Sequence, residues 1–354
     1  MSTKRIELFK LAMSQFHFLN VKQGDCSVIH HNSGHISIID VCNAKPVEPV
    51  REAVEAVLAK AEPRVLGNFQ QKKYPVNPIS YLKEHGVTSV FRYVQTHPDM
   101  DHMDGIKEFF RTFGPVNFWD TNNKKEIPGS EWDCSAYRRE DWEFYKNLRD
   151  TEPDTDPKRL ALLSGARGQY YNVGADGQGG GDGLQVLAPT QTLVNVANEV
   201  DEDYNRSSYV LLYRTAGGSR IVFGGDSHDE SWDHILKYHE EAVTDVDMLI
   251  APHHGRKSGR SYKFLDILRP TLTFFGNAQS EHLAYEAWSS RGLQIVTNNQ
   301  ANCMVVDVDP KPMVLYVTHE KFARAINSNT YFSESFKAWY VGPIEENLIS
   351  RTVS

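Results

Sequence analysis

Thr96-His97-Pro98-Asp99-Met100-Asp101-His102-Met103-Asp104-Gly105 follows directly on the apolar run of residues 87–95. The run reads as a buried strand and the ten residues after it as a loop. Within six positions this loop carries two imidazoles and two carboxylates: His97, Asp99, Asp101 and His102. Strand alternation places His97, Asp99 and Asp101 on a common side, and the turn brings His102 round to them. A loop curling at a strand's end can therefore point all four side chains into one concavity. Nitrogen and oxygen donors at this spacing form a metal-ligand set, a concentration that a merely solvated loop does not require.

Upstream, residues 15–21 (QFHFLNV), 26–30 and 35–41 read as three strands of a meander. Val50, Val54, Val57, Leu58 and Ala61 then repeat at helical spacing, with Pro46 and Pro49 at the helix start. A polar stretch, 62–78, leads to a short helix over 79–85 closed by Gly86. Downstream, a helix is expected over 106–113. Residues 114–183 are polar, contain Trp119, Trp132 and Trp142, and end in the glycine tract 177–183 (GQGGGDG). This segment reads as an insertion or lid.

A core strand resumes at 184–187. Further strands fit 209–213, 220–223, 248–251, 271–275, 294–297, 303–308 and 313–317. Helices fall around Trp232, Ile235, Leu236 and His239 and over 282–290. Gly224-Gly225-Asp226 and Pro252-His253-His254-Gly255 lie at strand ends. Each half thus runs strands first and strand–helix alternation second, which predicts an α/β fold of two packed sheets with helices outside. We expect a single domain over residues 1–345, with 114–183 inserted, and a tail over 346–354.

The length of 354 residues allows roughly two domains of ~150 residues or one large α/β domain. With 40% hydrophobic and 11% aromatic residues, a disordered chain is excluded. Lys and Arg number 38 against 46 Asp and Glu, a net charge of −8, which weighs against a broad nucleic-acid grip but not against a local basic pocket. Cys26, Cys42, Cys134 and Cys303 form no CxxC pair and read as free thiols of a cytoplasmic protein. No stretch approaches the ~18 apolar residues of a membrane span. Lys10, Gln15 and His17 interrupt what would be the apolar part of a secretory signal. No membrane partner is expected. The glycine tract lacks the Lys-Ser/Thr helix start of a phosphate loop. No G-x-S-x-G elbow or cysteine nucleophile motif occurs.

His97-Pro98-Asp99-Met100-Asp101-His102 resembles the H-x-[HD]-x-D-H signature of the metallo-β-lactamase-fold hydrolases. The aspartate at its third position is most like the soluble domain of the DNA-uptake competence proteins. Other motifs resemble that family in order. Val21-Lys22-Gln23-Gly24-Asp25 is similar to its V-x-Q-G-D turn, and Ile38-Ile39-Asp40 to its "LID" strand end. Residues 81–87 (YLKEHGV) are similar to the helix and turn before the metal loop, and 205–211 (NRSSYVL) to its N-x-x-S-x-V-L strand entry. Phe223-Gly224-Gly225-Asp226 matches its "TGD" position, and 252–258 (PHHGRKS) its H-H-G-S-x-x-S loop. The membrane channel segments of the competence proteins have no counterpart, so transport does not carry over.

The resemblance implies a four-layer αββα sandwich and a centre of two divalent ions. His97 and Asp99 would hold the first ion, Asp101, His102 and His253 the second, and Asp226 would bridge them. A water between the ions, acidified by both, would be the nucleophile, with Asp101 orienting or deprotonating it. Two departures matter. Many members have a histidine where this chain has Asn205 or Ser208, which leaves the first ion fewer ligands; His228 is a candidate substitute. Asp99 hardens the donor set and leans it toward Mn²⁺, just ahead of Zn²⁺.

His254 would point away from the site if its segment stayed extended, and is weighed as a general acid for the leaving group against simple packing. Arg256, Lys257 and Ser258 suit a phosphate oxygen, with Asn205 and His282 as further candidate substrate contacts. The expected function is metal-dependent hydrolysis of phosphodiester bonds in single-stranded DNA, RNA or a small nucleotide. The alternatives are a hydrolase of thioesters, lactones or lactams on the same scaffold, and a metal-stabilised binding module without catalysis.

Overall fold

The computed structural model describes residues 14–46, 49–61, 68–151, 155–278 and 280–349. Strands β1 (Gln15–Phe18), β2 (Ser27–His30) and β3 (Ile36–Ile39) form an antiparallel meander. β4 (Arg92–Val94), β5 (Asn117–Trp119) and β6 (Lys158–Leu160) extend it in parallel. A second sheet repeats this order: β7 (Leu184–Ala188), β8 (Val210–Arg214) and β9 (Arg220–Phe223) are antiparallel. β10 (Met248–Ile250), β11 (Leu272–Phe275) and β12 (Ile295–Thr297) follow in parallel. The chain then returns to the first sheet, where β13 (Met304–Asp307) pairs with β1 and is followed outward by β14 (Val314–Val317), β16 (Ala338–Pro343) and β15 (Phe332–Ser333).

Alternation within the strands explains the layering. Phe16, Phe18, Ile29, Ile39 and Val94 face Leu211, Phe223, Ile250 and Phe274 in a core between the sheets. Their neighbours Val28, Ile38 and Tyr93 point the other way, against helices. Those helices are α2 (Pro78–Glu84), α3 (Ile106–Phe113) and α4 (Arg139–Asp150), contributing Leu82, Phe109, Phe110, Trp142 and Tyr145; α1 (Pro49–Ala61) precedes them in the chain. On the second sheet Leu212, Val222 and Leu249 face Trp232, Ile235, Leu265 and Trp288. The result is the four-layer αββα sandwich. Strands buried on both faces need no polar alternation, which is why β8 reads as the continuous run VLLY.

Several elements are shorter than their apolar patterns. Of residues 87–95 only Arg92–Val94 is strand, because the Val87 N–H bonds Leu82 O and the Val90 N–H bonds Phe113 O, tying that stretch to helix ends. The segment 114–183 does more than flank the site. It supplies β5 and β6 at the sheet edge and α4 on the outer layer, with Trp142 and Tyr145 buried. Its glycine tract is anchored by buried Asp182, which accepts from Arg92 (3.0 Å) and Ser33 (2.6 Å) and meets His35 Nδ1 (2.9 Å). Of the tail, Ile349 is buried and its N–H bonds Gln294 Oε1 at 2.7 Å. Residues 1–13 and 350–354, together with part of the polar stretch (62–67), fall outside the described residues. Among the described residues no helix is long and apolar enough to cross a membrane.

Candidate metal centre

The carboxyl ends of parallel strands from both sheets meet at one place, where crevices in such sheets form. β3 delivers Asp40, β4 delivers residues 96–102, β9 delivers Asp226, and β10 delivers His253 and His254. The turn before β2 closes against the metal loop so tightly that a Cβ on Gly24 would lie 1.6 Å from the Asp101 carbonyl oxygen. Gln95 Nε2 clamps the same loop by donating to the carbonyls of His97 (2.8 Å) and His102 (3.1 Å).

Hydrogen bonds at Nδ1 fix each histidine's tautomer. His102 donates from Nδ1 to Asp40 Oδ2 at 2.7 Å, and His254 from Nδ1 to Asp25 Oδ1 at 2.9 Å. Thr96 Oγ1 gives its single hydrogen to Asp40 Oδ2 (2.6 Å), so toward His97 Nδ1, 3.0 Å away, it accepts. All three rings therefore turn Nε2 outward, and a lone pair is free there whenever the ring is neutral. Those three Nε2 atoms and Asp226 Oδ1 are buried and lack any hydrogen-bond partner. Four orphaned donors of metal-ligand type converge: His97 Nε2 lies 3.7 Å from Asp226 Oδ2, His102 Nε2 3.5 Å from Oδ1, and His254 Nε2 3.9 Å from Oδ2. Ligands at ~2.1 Å around a tetrahedral cation are ~3.4 Å apart, so these spacings suit divalent ions. Two groups are compact to within 4.8 Å, His97–His102–Asp226 and Asp101–His102–His254.

The electrostatics agree. Burial opposes charge on these groups, and with His102 beside it lowers the pKa of His97. At His102 burial is outweighed by Asp226 and Asp40, which raise it well above the ordinary value. At His254 burial is outweighed by Asp25, Asp226 and Asp101, and the pKa rises to about 10. Asp226, which burial alone would raise, is held well below the carboxylate range by His102, His254 and His97. A centre whose carboxylates hold protons on neighbouring imidazoles exchanges them for a cation.

The structure separates the adjacent histidines. Both have left-handed backbones (φ 51° and 58°), so the segment is not extended and His254 turns inward. His254 joins Asp101, 3.7 Å away. His253 Nδ1 accepts from the Arg260 guanidinium at 2.8 Å, which cannot itself accept, so the hydrogen sits on Nε2, 3.7 Å from Asp226 Oδ2. Burial, reinforced by Arg260, lowers its pKa to about 4 although Asp226 opposes this.

Asp99 Oδ2 lies 3.7 Å from His97 Nε2, but its Oδ1 is held by Lys125 of the inserted segment. Ser258 Oγ touches His253 Nδ1 (2.8 Å) and donates to Arg256 O (3.1 Å). The Arg256 guanidinium and Lys257 ammonium have no ion pair among the described residues; Arg256 is close enough to help lower His253. Asn205 leaves a buried Oδ1 without a partner. Ser208 Oγ accepts from the Asp226 N–H (2.9 Å) and lies 3.4 Å from His97 Nδ1. His228 pairs with Asp203 (3.3 Å), and exposed His282 contributes its carbonyl, which accepts from Lys257 N–H (2.6 Å).

Asp25, Asp40, Thr96, Arg260 and Lys125 were not identified from sequence as site residues. For Asp25 and Asp40 a signal existed, because each ends a motif quoted above.

No protein-family model and no curated protein matches the chain. The solved structures similar to it are metallo-β-lactamase-fold proteins. One is the metallo-β-lactamase SMB-1 bound to 2-mercaptoethanesulfonate, at 14% identity over 68% of this chain and 78% of that one, with a TM-score of 0.33. Another is a diphosphatase from the PhnP family, at 12% identity over 80% and 94%, TM-score 0.37. The Rm3 metallo-β-lactamase matches at 12% identity over 70% and 78%, TM-score 0.34.

Proposed function

We propose that this protein is a metal-dependent hydrolase of phosphodiester bonds. The observation that carries the reading is the convergence of three buried imidazoles, each with its Nε2 turned outward and without a partner, on the buried carboxylate of Asp226. In this reading His97, His102, His254, Asp101 and Asp226 hold divalent ions, Mn²⁺ or Zn²⁺, with Asp99 at the edge. His254 takes the role that the resemblance assigns to His253. Bound there, divalent ions would supply an acidified water and polarise the substrate oxygen. Asp101 would orient such a water and take its proton on a carboxylate oxygen. His253, neutral with its hydrogen on Nε2, donates a hydrogen bond to the substrate. Arg256 and Lys257 supply cationic donors for phosphate oxygens, and that unpaired positive charge favours a phosphate ester over a neutral thioester, lactone or lactam.

The test is a substrate panel on one preparation supplied with Mn²⁺ or Zn²⁺. It includes a bis-aryl phosphate, single-stranded oligonucleotides and small nucleotides beside a thioester, a lactone and a lactam. Preferential turnover of the phosphodiesters supports the reading. Turnover confined to the carbonyl substrates replaces it with the second class of hydrolase.

A further inference from the structure

Asp99 stands apart from the rest of the metal loop. It is 34% exposed where His97 and His102 are fully buried, and it belongs to neither compact donor group. One of its oxygens is occupied by the Lys125 ammonium.

That ammonium is delivered by a built support. The Lys125 N–H donates to Asn123 Oδ1 (3.2 Å), and its carbonyl accepts from Arg149 Nη1 of α4 (2.6 Å). Asn123 is buried and donates to Asp120 Oδ1 (3.1 Å) just beyond β5. The adjacent Lys124 N–H donates to Asn198 Oδ1 (2.8 Å), and the Lys125 ammonium lies 5.7 Å from the Tyr204 ring centroid. Backbone anchors on both sides and an aromatic face leave the Lys125 side chain only 25% exposed.

The two halves of the centre are unequal in their own ligands. The Asp101–His102–His254 half has a carboxylate and two imidazoles, each imidazole backed by a further carboxylate, Asp40 or Asp25. The His97 half has no histidine at 205 or 208; Ser208 Oγ is engaged by the Asp226 N–H. Its compact group takes its negative charge from Asp226, and Asp99 is a further carboxylate beside His97, 3.7 Å from its Nε2. An ammonium on Asp99 removes one of its two oxygens and places a like charge beside any ion bound there.

We propose that Lys125 is a built-in cation of the centre: by holding Asp99 it weakens the His97 half, so that the Asp101–His102–His254 half loads first. The inserted segment thereby sets the order and affinity of metal loading. This inference rests on the metal-centre reading above.

Mn²⁺ and Zn²⁺ are titrated into the metal-free full chain by calorimetry, with metal content checked on desalted protein. The wild type should bind one ion tightly and a second at least tenfold more weakly. Lys125→Met should tighten the second ion at least tenfold and leave the first unchanged, while Lys125→Arg should behave as wild type. Lys125→Gln, which also removes the charge, replaces Lys125→Met if thermal unfolding shows that variant unfolded. Two equal ions in the wild type, or a second ion of unchanged affinity in the charge-removing variant, overturn the inference while leaving the metal centre standing. No ion bound by any of the folded proteins overturns the metal-centre reading and this inference with it.

Discussion

Histidines 253 and 254 are neighbours with opposite free nitrogens, because different partners hold their Nδ1 atoms: Asp25 accepts from His254, whereas Arg260 donates to His253. The pair was legible in the sequence as two candidates beside a strand end. Which of them faces the cluster was not, since Asp25 lies 229 positions away and the backbone turn at 253–254 leaves no periodic trace. The role of Asp25 is testable at this scale. A carboxylate on the far nitrogen of a ligating imidazole fixes its tautomer and raises its basicity, and loss of such a partner costs about 10–100-fold in metal affinity. Asp25→Asn should show a loss of that size in competition with a chelator of known affinity. An unchanged affinity would remove His254 from the ligand set.

Other histidines became informative only when the elements carrying them were placed together. His17 on β1, His30 on β2 and His85 at the end of α2 lack ligand spacing with the 97–102 loop in the sequence. In the fold the rings of His17 and His30, and of His17 and His85, have centroids 5.3 Å apart. Burial lowers all three pKa values, His30 to about 4; His30 and His85 lower His17 further, and His85 lowers His30.

The sign follows from the proton count. A histidine whose folded pKa lies below its unfolded value of 6.5 binds its proton more readily in the unfolded chain. Stability is therefore full above pH 6.5 and is lost as pH falls toward about 4. His30 alone accounts for on the order of 2–3 kcal/mol of that loss. Urea unfolding at pH 7 and pH 4.5 should show the fall, and His30→Leu should reduce it. Equal slopes in the two proteins would place the acid sensitivity elsewhere.

For the whole molecule, strands first and alternation second within each half was enough to read two sheets with outer helices, and the motif order named the strand ends that meet. The contribution of 114–183 to the body was not legible. Its strands are three residues long, too short for a period to emerge. Its anchor pairs Asp182 with Arg92, 90 positions away. Both side chains are almost fully buried, at 2% and 1% exposure. Removing one partner of such a pair leaves a buried, uncompensated charge, a cost of about 3–5 kcal/mol. Asp182→Ala should lower the unfolding free energy by about that amount in denaturant titrations. A change below ~1 kcal/mol would mean that the glycine tract is held by other contacts.

The cluster around Asp226 is expected to perform metal-dependent chemistry. The most direct measurement is turnover of a bis-aryl phosphate by the metal-free protein as Mn²⁺ or Zn²⁺ is added back, beside Asp101→Ala handled identically and shown by circular dichroism to be folded. Turnover should appear with the ion, disappear with chelator and drop at least a thousandfold in Asp101→Ala. Folded wild-type protein that binds the ion yet turns over no phosphodiester, or an Asp101→Ala variant as active as wild type, would contradict this expectation.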